Sequence, residues 1–114
     1  WMEGTTIEPH FHAAYPNGNA GNSVWRFTYS WANNDGTFAA ETTITSTFAS
    51  AGTTDKMVIH SFGAVTATGK TASSVMLCSL ARLGGNGADT YASNIYAVSA
   101  DVHIEIDKLG AYVI

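Results

Sequence analysis

The stretch VWRFTYSW, residues 24–31, alternates aromatic side chains with smaller or polar ones along its length. Successive side chains of a β-strand point to opposite faces, so a strand here carries all its aromatic rings on one face: Trp25, Phe27, Tyr29 and Trp31. An aromatic face of this size is unfavourable in water and belongs in a core or a subunit interface. We therefore predict a strand over Val24–Trp31 whose aromatic face anchors the fold.

Segments of strand length flank this stretch on both sides, separated by turns rich in Gly and Asn. Thr, Val, Ile and aromatic residues dominate them and favour strands, while helix-forming residues are sparse. The predicted strands are Ile7–Tyr15, Thr42–Phe48, Lys56–Phe62, Ser73–Arg82, Asn94–Val98 and Asp101–Asp107. A total of about seven or eight short strands predicts an all-β fold, a single antiparallel, jelly-roll-like β-sandwich domain over residues 1–114.

Three segments carry more specific predictions. Ser73–Arg82 is apolar on both faces, so helix and strand both fit, and we favour a strand from its neighbours. Cys78 within it is expected to be a buried small hydrophobe. Asn34-Asp35-Gly36 predicts a hairpin turn, because Asp-Gly tolerates the positive φ of a tight turn. The alternation in Asp101–Asp107 predicts an inward face of Val102, Ile104 and Ile106.

The chain carries little charge for a protein of 114 residues. Only 12% of its residues are charged and the formal net charge is −4, whereas typical soluble proteins have about 25% charged residues. The five Lys and Arg residues are scattered, which argues against a nucleic-acid partner. No apolar run approaches the roughly 20 residues of a membrane-spanning helix, so we expect no membrane partner. The low charge predicts instead that copies of the chain cover part of its surface.

Two histidines at positions 10 and 12 are the most suggestive chemical feature. In a strand they project from one face, so His10 and His12 could share a metal such as Zn or Ni. His103 lies between acidic residues, Asp101 and Glu105. It would lie close to His10 and His12 if the predicted strands Ile7–Tyr15 and Asp101–Asp107 were neighbours. The alternative, which we favour, is cross-strand packing or hydrogen bonding at a subunit contact. We accordingly predict no bound metal, cofactor or catalytic residue.

Other chemistry finds little support in the sequence. Gly63–Thr71 ends like a phosphate-binding loop, but five residues separate its glycines where that motif needs four, so we interpret it as a surface loop. No serine lies in a Gly-x-Ser-x-Gly nucleophile motif. The single cysteine excludes an intrachain disulfide. Aromatic residues that could stack on a glycan are Trp1, Tyr15, Trp31 and Tyr91, although core packing suits each of them better.

Several short motifs resemble, in order along the chain, a family of small proteins encoded among tailed-phage virion genes. The motifs are Glu3–His12, Val24-Trp25, Tyr29–Asn33, Gly69-Lys70-Thr71 with Ser73-Ser74, Asp89-Thr90-Tyr91, and His103–Asp107 with Gly110. The resemblance implies a jelly-roll protomer of a homotrimer on the virion surface. In similar proteins more chain precedes the segment that starts here at Trp1, so we expect the native start to lie further upstream.

The resemblance leads us to expect a non-enzymatic bacteriophage structural protein, acting as capsid decoration or cement, head fibre or tail-fibre component. Its partners would be other copies and other capsid or tail proteins. The residues predicted to carry packing or interface contacts are Trp25, Phe27, Tyr29, Trp31, His103 and Glu105. Two alternatives stay open: a carbohydrate- or host-receptor-binding module of a tail fibre or tailspike, and a His-ligated metal enzyme of the cupin type.

Overall fold

The computed structural model describes residues 1–105, and this range contains six β-strands and no helix. The strands are β1 (Ile7–Tyr15), β2 (Asn22–Ala32), β3 (Thr42–Ala49), β4 (Lys56–Ser61), β5 (Val75–Arg82) and β6 (Tyr96–Ile104). They form two antiparallel three-stranded sheets, one in the order β4-β1-β6 and the other in the order β3-β2-β5. The prediction of an antiparallel all-β fold is therefore confirmed, and the two sheets pack as a β-sandwich.

The predicted number of strands is too high, because the last two predicted strands form a single strand, β6. Ser99 and Ala100, which separate the two predictions, pair with His12 and Phe11 of β1, so the ladder continues without a break. A β-bulge follows, where the register of the β1–β6 pair shifts between His12 and Ala13. Three residues named in the predictions lie outside the described part of the chain: Ile106, Asp107 and Gly110.

The core lies between the two sheets and consists mainly of aromatic rings. Phe11 of β1 is fully buried, and its ring centroid lies 4.5 Å from that of Trp25 of β2. Phe27 stacks on Phe62 at 5.3 Å. Aromatic rings bury the largest apolar areas and dominate the energy of a small core. The alternation in β2 thus supplies one half of the core, as its sequence predicts.

Two local predictions concern the connections around β2 and β5. The ambiguous segment Ser73–Arg82 contains a strand, β5, as favoured. At Asn34-Asp35-Gly36 the chain does turn, with Asp35 at φ 58° and the Gly36 N–H donating to the Asn33 carbonyl at 2.9 Å. Residues 33–41 join β2 to β3, however, so this turn is part of a longer connection and not a tight hairpin.

The loop between β5 and β6 is fixed by a bidentate ion pair. The Arg82 guanidinium donates to both Asp89 carboxylate oxygens, at 2.6 and 2.9 Å, and also to the carbonyls of Tyr91 and Ser93. Asp89 is almost fully buried and accepts a further hydrogen bond from the Val24 N–H at 3.0 Å. Hydrogen bonds from Arg82 hold the pKa of Asp89 below its usual value.

Candidate assembly surface and histidine cluster

The sandwich is closed along one side and open along the other. On the closed side, the Phe48 ring of β3 stacks on the His60 ring of β4 with centroids 4.3 Å apart. On the other side, β5 and β6 bring inward-facing side chains to the rim of the two sheets without burying them. Cys78 of β5 is exposed, and Val102 of β6 keeps 46% of its surface accessible. We call this side, formed by β5 and β6, the open seam.

The exposure of Cys78 corrects the prediction that this residue is a buried hydrophobe. Cys78 pairs with Tyr29 of β2 and points, as Tyr29 does, toward the opposite sheet. Because β5 is an edge strand of its sheet, the thiol remains accessible along the open seam. Partial desolvation there raises its pKa. The alternation of side chains predicted correctly which face Cys78 shares with Tyr29, but it could not predict whether another layer covers that face.

Two adjoining clefts make up the interior of the open seam. The first has a volume of about 170 Å³ and reaches Phe11 and Phe27 in the core. The second has a volume of about 330 Å³ and is lined by Trp1, Trp31 and Ile104. Cys78 and Val102 line both clefts. The apolar interior of the sandwich is therefore accessible from outside along β5 and β6.

Among the strands of residues 1–105, β6 is a sheet edge that pairs on one side only, with β1. All nine of its residues are exposed, although it is one of the longer strands. Natural edge strands usually carry Lys, Pro or inward-pointing charges that prevent pairing with another chain. β6 contains no Lys, Arg or Pro, and its one charged residue, Asp101, lies on the outer face opposite His10. The apolar side chains that it exposes are Tyr96, Val98, Val102 and Ile104.

Exposed apolar side chains concentrate on β5 and β6, which form the open seam, and on β4, which lies at the opposite edge of its sheet. Within residues 1–105, every large hydrophobic side chain that is exposed lies on β4, β5 or β6, with the exception of Phe38. Val75 and Leu77 project from the outer face of β5, and Met57 and Ile59 from that of β4. Grouped apolar side chains of this kind mark interaction surfaces, whereas isolated ones do not.

The predicted histidines meet on the outer face of sheet β4-β1-β6. His10 lies directly opposite Asp101 on β6, so the two strands are neighbours. The Nε2 atoms of His10 and His12 lie 3.9 and 3.3 Å from the same carboxylate oxygen of Asp101. The possible ligand atoms of these three residues are all within 4.8 Å of one another. The histidine cluster thus consists of His10, His12 and Asp101.

His103 and Glu105 have different positions from those three residues. The His103 ring packs against the His10 ring with centroids 4.1 Å apart, so it contacts the cluster from the side. Glu105 follows the end of β6, and its backbone carbonyl accepts a hydrogen bond from the Met2 N–H at 2.8 Å. Asp101, which the sequence placed only beside His103, is the acid that faces both β1 histidines.

A further histidine, His60, is a core residue that the sequence did not single out. Its Nε2 atom lies 2.8 Å from the Tyr15 hydroxyl, and only 7% of the residue is exposed. The Tyr15 hydroxyl also lies 3.4 Å from the Ser23 hydroxyl. Burial lowers the pKa of His60 to about 4 and raises that of Tyr15. His60 is therefore a buried group whose polar contact, to Tyr15, lies within its own sheet, while its ring stacks on Phe48 of the other sheet.

The other residues considered for chemistry are distributed as follows. Tyr15 and Tyr91 are buried, so they cannot stack on a glycan, whereas Trp1 and Trp31 are half-buried at the second cleft. Trp25 and Phe27 belong to the core, and Tyr29 packs against it. The phosphate-loop-like segment Gly63–Thr71 connects β4 to β5 and is followed by a strand, not by the helix that such a loop needs.

Comparisons with known proteins give no assignment. No family model, no curated protein and no solved structure matches this chain. In residues 1–105 no helix is long and apolar enough to cross a membrane. The open seam and the histidine cluster are therefore the candidate functional features of this protein.

Proposed function

We propose that this protein is a non-enzymatic structural module that assembles with copies of itself on the surface of a bacteriophage virion. The role is that of a trimeric capsid decoration or cement protein, or of a fibre component. The observation that carries the proposal is the open seam, where an edge strand and the apolar interior of the sandwich lie uncovered side by side.

The edge strand β6 is the first of three features that favour self-assembly. A free edge of nine residues presents unpaired backbone N–H and C=O groups that a strand from another copy can pair with. Burying apolar surface contributes about 25 cal/mol per Å², so covering Val102, Ile104 and Tyr96 supplies several kcal/mol. The low charge of the chain reduces the repulsion between copies. Copies of the same chain are the occupant that satisfies all three features.

Strand pairing supports the jelly-roll expectation that accompanies the family resemblance. β1 pairs with β6, and β2 pairs with β5, so the first strand pairs with the last and the second with the last but one. Jelly rolls also have nested outer pairs of this kind, although here the innermost described strands, β3 and β4, lie in different sheets. The choice of a trimer and of a virion comes from the sequence resemblance, and the open seam gives such an assembly its contact surface.

The proposal is tested by measuring the mass of the protein in solution by light scattering at micromolar concentration. We expect a trimer for the unaltered chain and a folded monomer for Val102→Asp, because Val102 lines both clefts of the seam. Phe38→Asp is the matched control, since Phe38 is similarly exposed but lies in the loop after β2. A monomeric wild-type chain, or trimers of Val102→Asp as stable as those of Phe38→Asp, would contradict the proposal.

A glycan-binding role is the second candidate, and the second cleft favours it. Trp1 and Trp31 lie there with ring centroids 5.9 Å apart, and the cleft also contains the hydroxyl groups of Thr71, Ser73 and Ser74. Aromatic rings beside hydroxyl groups suit the apolar and polar faces of a sugar. Binding of the intact oligomer to a glycan array tests this role. Binding that Trp31→Ala abolishes supports it, and the absence of binding to any glycan on the array rejects it.

A further inference from the structure

We propose that His10, His12 and Asp101 bind a divalent transition-metal ion of the Zn²⁺ class that fastens the edge strand β6 to β1. The inference goes beyond the assembly role and does not depend on it. It concerns the outer face of the sheet β4-β1-β6, although His10 and Asp101 also line the first cleft of the open seam.

Ligand positions are already close to those that a metal requires. With metal–ligand distances near 2.0–2.1 Å, the ligand atoms of a tetrahedral site lie about 3.3 Å apart. The His12 Nε2 atom lies 3.3 Å from the Asp101 carboxylate oxygen, and the His10 Nε2 atom lies 3.9 Å from it. All three ligand atoms fit within 4.8 Å. Metal binding would bring these ligand atoms closer together, from within 4.8 Å to about 3.3 Å.

The ligands are also held by the kind of outer contacts that metal sites use. The His10 Nδ1 atom lies 3.4 Å from the Glu8 carbonyl oxygen, an interaction that favours the tautomer with a free Nε2 lone pair. The His103 ring packs against His10 and restricts its rotation. The Ser99 hydroxyl donates to the Asp101 carboxylate at 3.1 Å. Each ligand but His12 therefore has a supporting neighbour that limits its motion.

The donor set selects the class of metal. Two imidazole nitrogens and one carboxylate oxygen suit Zn²⁺, Co²⁺ or Ni²⁺, whereas Mg²⁺ and Ca²⁺ prefer oxygen ligands alone. His10 is buried, His12 is about one-quarter exposed and Asp101 is half exposed. The site is therefore open on one side, where water completes the coordination. Because two ligands come from β1 and one from β6, the bound metal links the two strands.

The test is calorimetric titration of the full chain with Zn²⁺, together with the visible spectrum of its Co²⁺ complex. We expect one ion per chain, and at least tenfold weaker binding for His12→Gln and for Asp101→Asn, since each removes one of three protein ligands. Asp35→Asn is the matched control because it removes one carboxylate from an exposed turn on the other sheet and leaves binding unchanged. Zn²⁺ at 100 times its dissociation constant should raise the Tm by about 10 °C.

Each other outcome overturns the proposal. These outcomes are no saturable binding to the wild-type chain, variants that bind as tightly as Asp35→Asn, or binding without a rise in Tm. A thiolate-to-cobalt charge-transfer band would place the ion at Cys78, which is exposed, and would also overturn it. Since both ligand substitutions are at partly exposed positions, a variant that fails to fold without metal leaves the other to decide the test.

Discussion

Acidification from pH 7 to pH 5 should destabilise the protein by about 2 kcal/mol through His60 alone. The residue is 7% exposed and packs between the aromatic rings of the two sheets, with Phe48 stacked on it at 4.3 Å. Its Nε2 atom lies 2.8 Å from the Tyr15 hydroxyl. Burial disfavours the charged imidazolium and lowers the pKa of His60 from 6.5 to about 4.

The sign and size of the effect follow from proton linkage. The unfolded chain takes up a proton at His60 near pH 6.5, whereas the folded chain does so only near pH 4. The full stability is therefore present above pH 6.5 and is lost as the pH falls toward 4. One pKa unit corresponds to about 1.4 kcal/mol, so the total loss is about 3 kcal/mol. About 2 kcal/mol of it falls between pH 7 and pH 5.

Urea unfolding followed by tryptophan fluorescence measures this loss, with His60→Gln as the comparison. The variant loses the stacking on Phe48 and is less stable at pH 7, but it has no group at position 60 that titrates. We therefore expect the unfolding free energy of the wild type to fall by about 2 kcal/mol more than that of the variant between pH 7 and pH 5. His10, His12 and His103 are present in both proteins and cancel in the difference. Equal losses in the two proteins would refute the reasoning.

Two further substitutions test contacts that fix loops. Asp89→Asn leaves Arg82 without its bidentate partner and should lower the free energy of unfolding in urea by about 2–4 kcal/mol, less than for a fully buried pair because the Arg82 side chain is 21% exposed. Asp35→Asn, the control, should lower it by less than about 0.5 kcal/mol. Equal losses for the two substitutions would contradict the prediction. Gly21→Ala adds a Cβ 2.9 Å from facing backbone atoms at φ +139°, and we expect it to lower the free energy of unfolding by at least about 2 kcal/mol. Gly52→Ala, at φ +65°, meets open space, and we expect a loss of about 1 kcal/mol. A smaller loss at Gly21 than at Gly52 would be inconsistent with the close contact.

Alternation along single strands was sufficient to predict which side chains share a face. β2 shows this best, since Trp25 and Phe27 lie in the core where the period of two residues places them. The same rule placed His10 and His12 together on the outer face of β1. Such predictions depend only on the chemistry of neighbouring residues along the chain, which the sequence contains directly.

Long-range register could not be predicted in this way. Asp101 faces His10 because β1 and β6, 90 residues apart in the chain, pair in one particular register. A shift of one residue would turn Asp101 to the opposite face and bring Ala100 or Val102 beside the histidines. The sequence pattern is compatible with several registers, so it could indicate His103 as a candidate but not the acid that completes the cluster.

The sequence was equally unable to predict whether a second sheet covers a given strand face, as Cys78 and Val102 show. Both lie on faces that alternation turns inward, yet both are exposed on β5 and β6, which are edge strands of the two sheets. An inward face is buried only if another element lies opposite, which depends on how the sheets are aligned. His60 shows the converse, since a polar residue in an apolar strand became a fully packed core group.

The low charge of the chain, 12% of its residues, gains a physical meaning at β6. A lone domain with a long free edge protects that edge with charge, because a flat apolar edge pairs with any strand it meets. Here the only charge on β6, Asp101, contacts His12 on the outer face of the sheet and lies at the margin of the first cleft. The inner face retains Ala100, Val102 and Ile104 with nothing to repel a partner. In the assembly that we propose, another copy covers this edge, so the strand that lacks protective charges forms the contact surface.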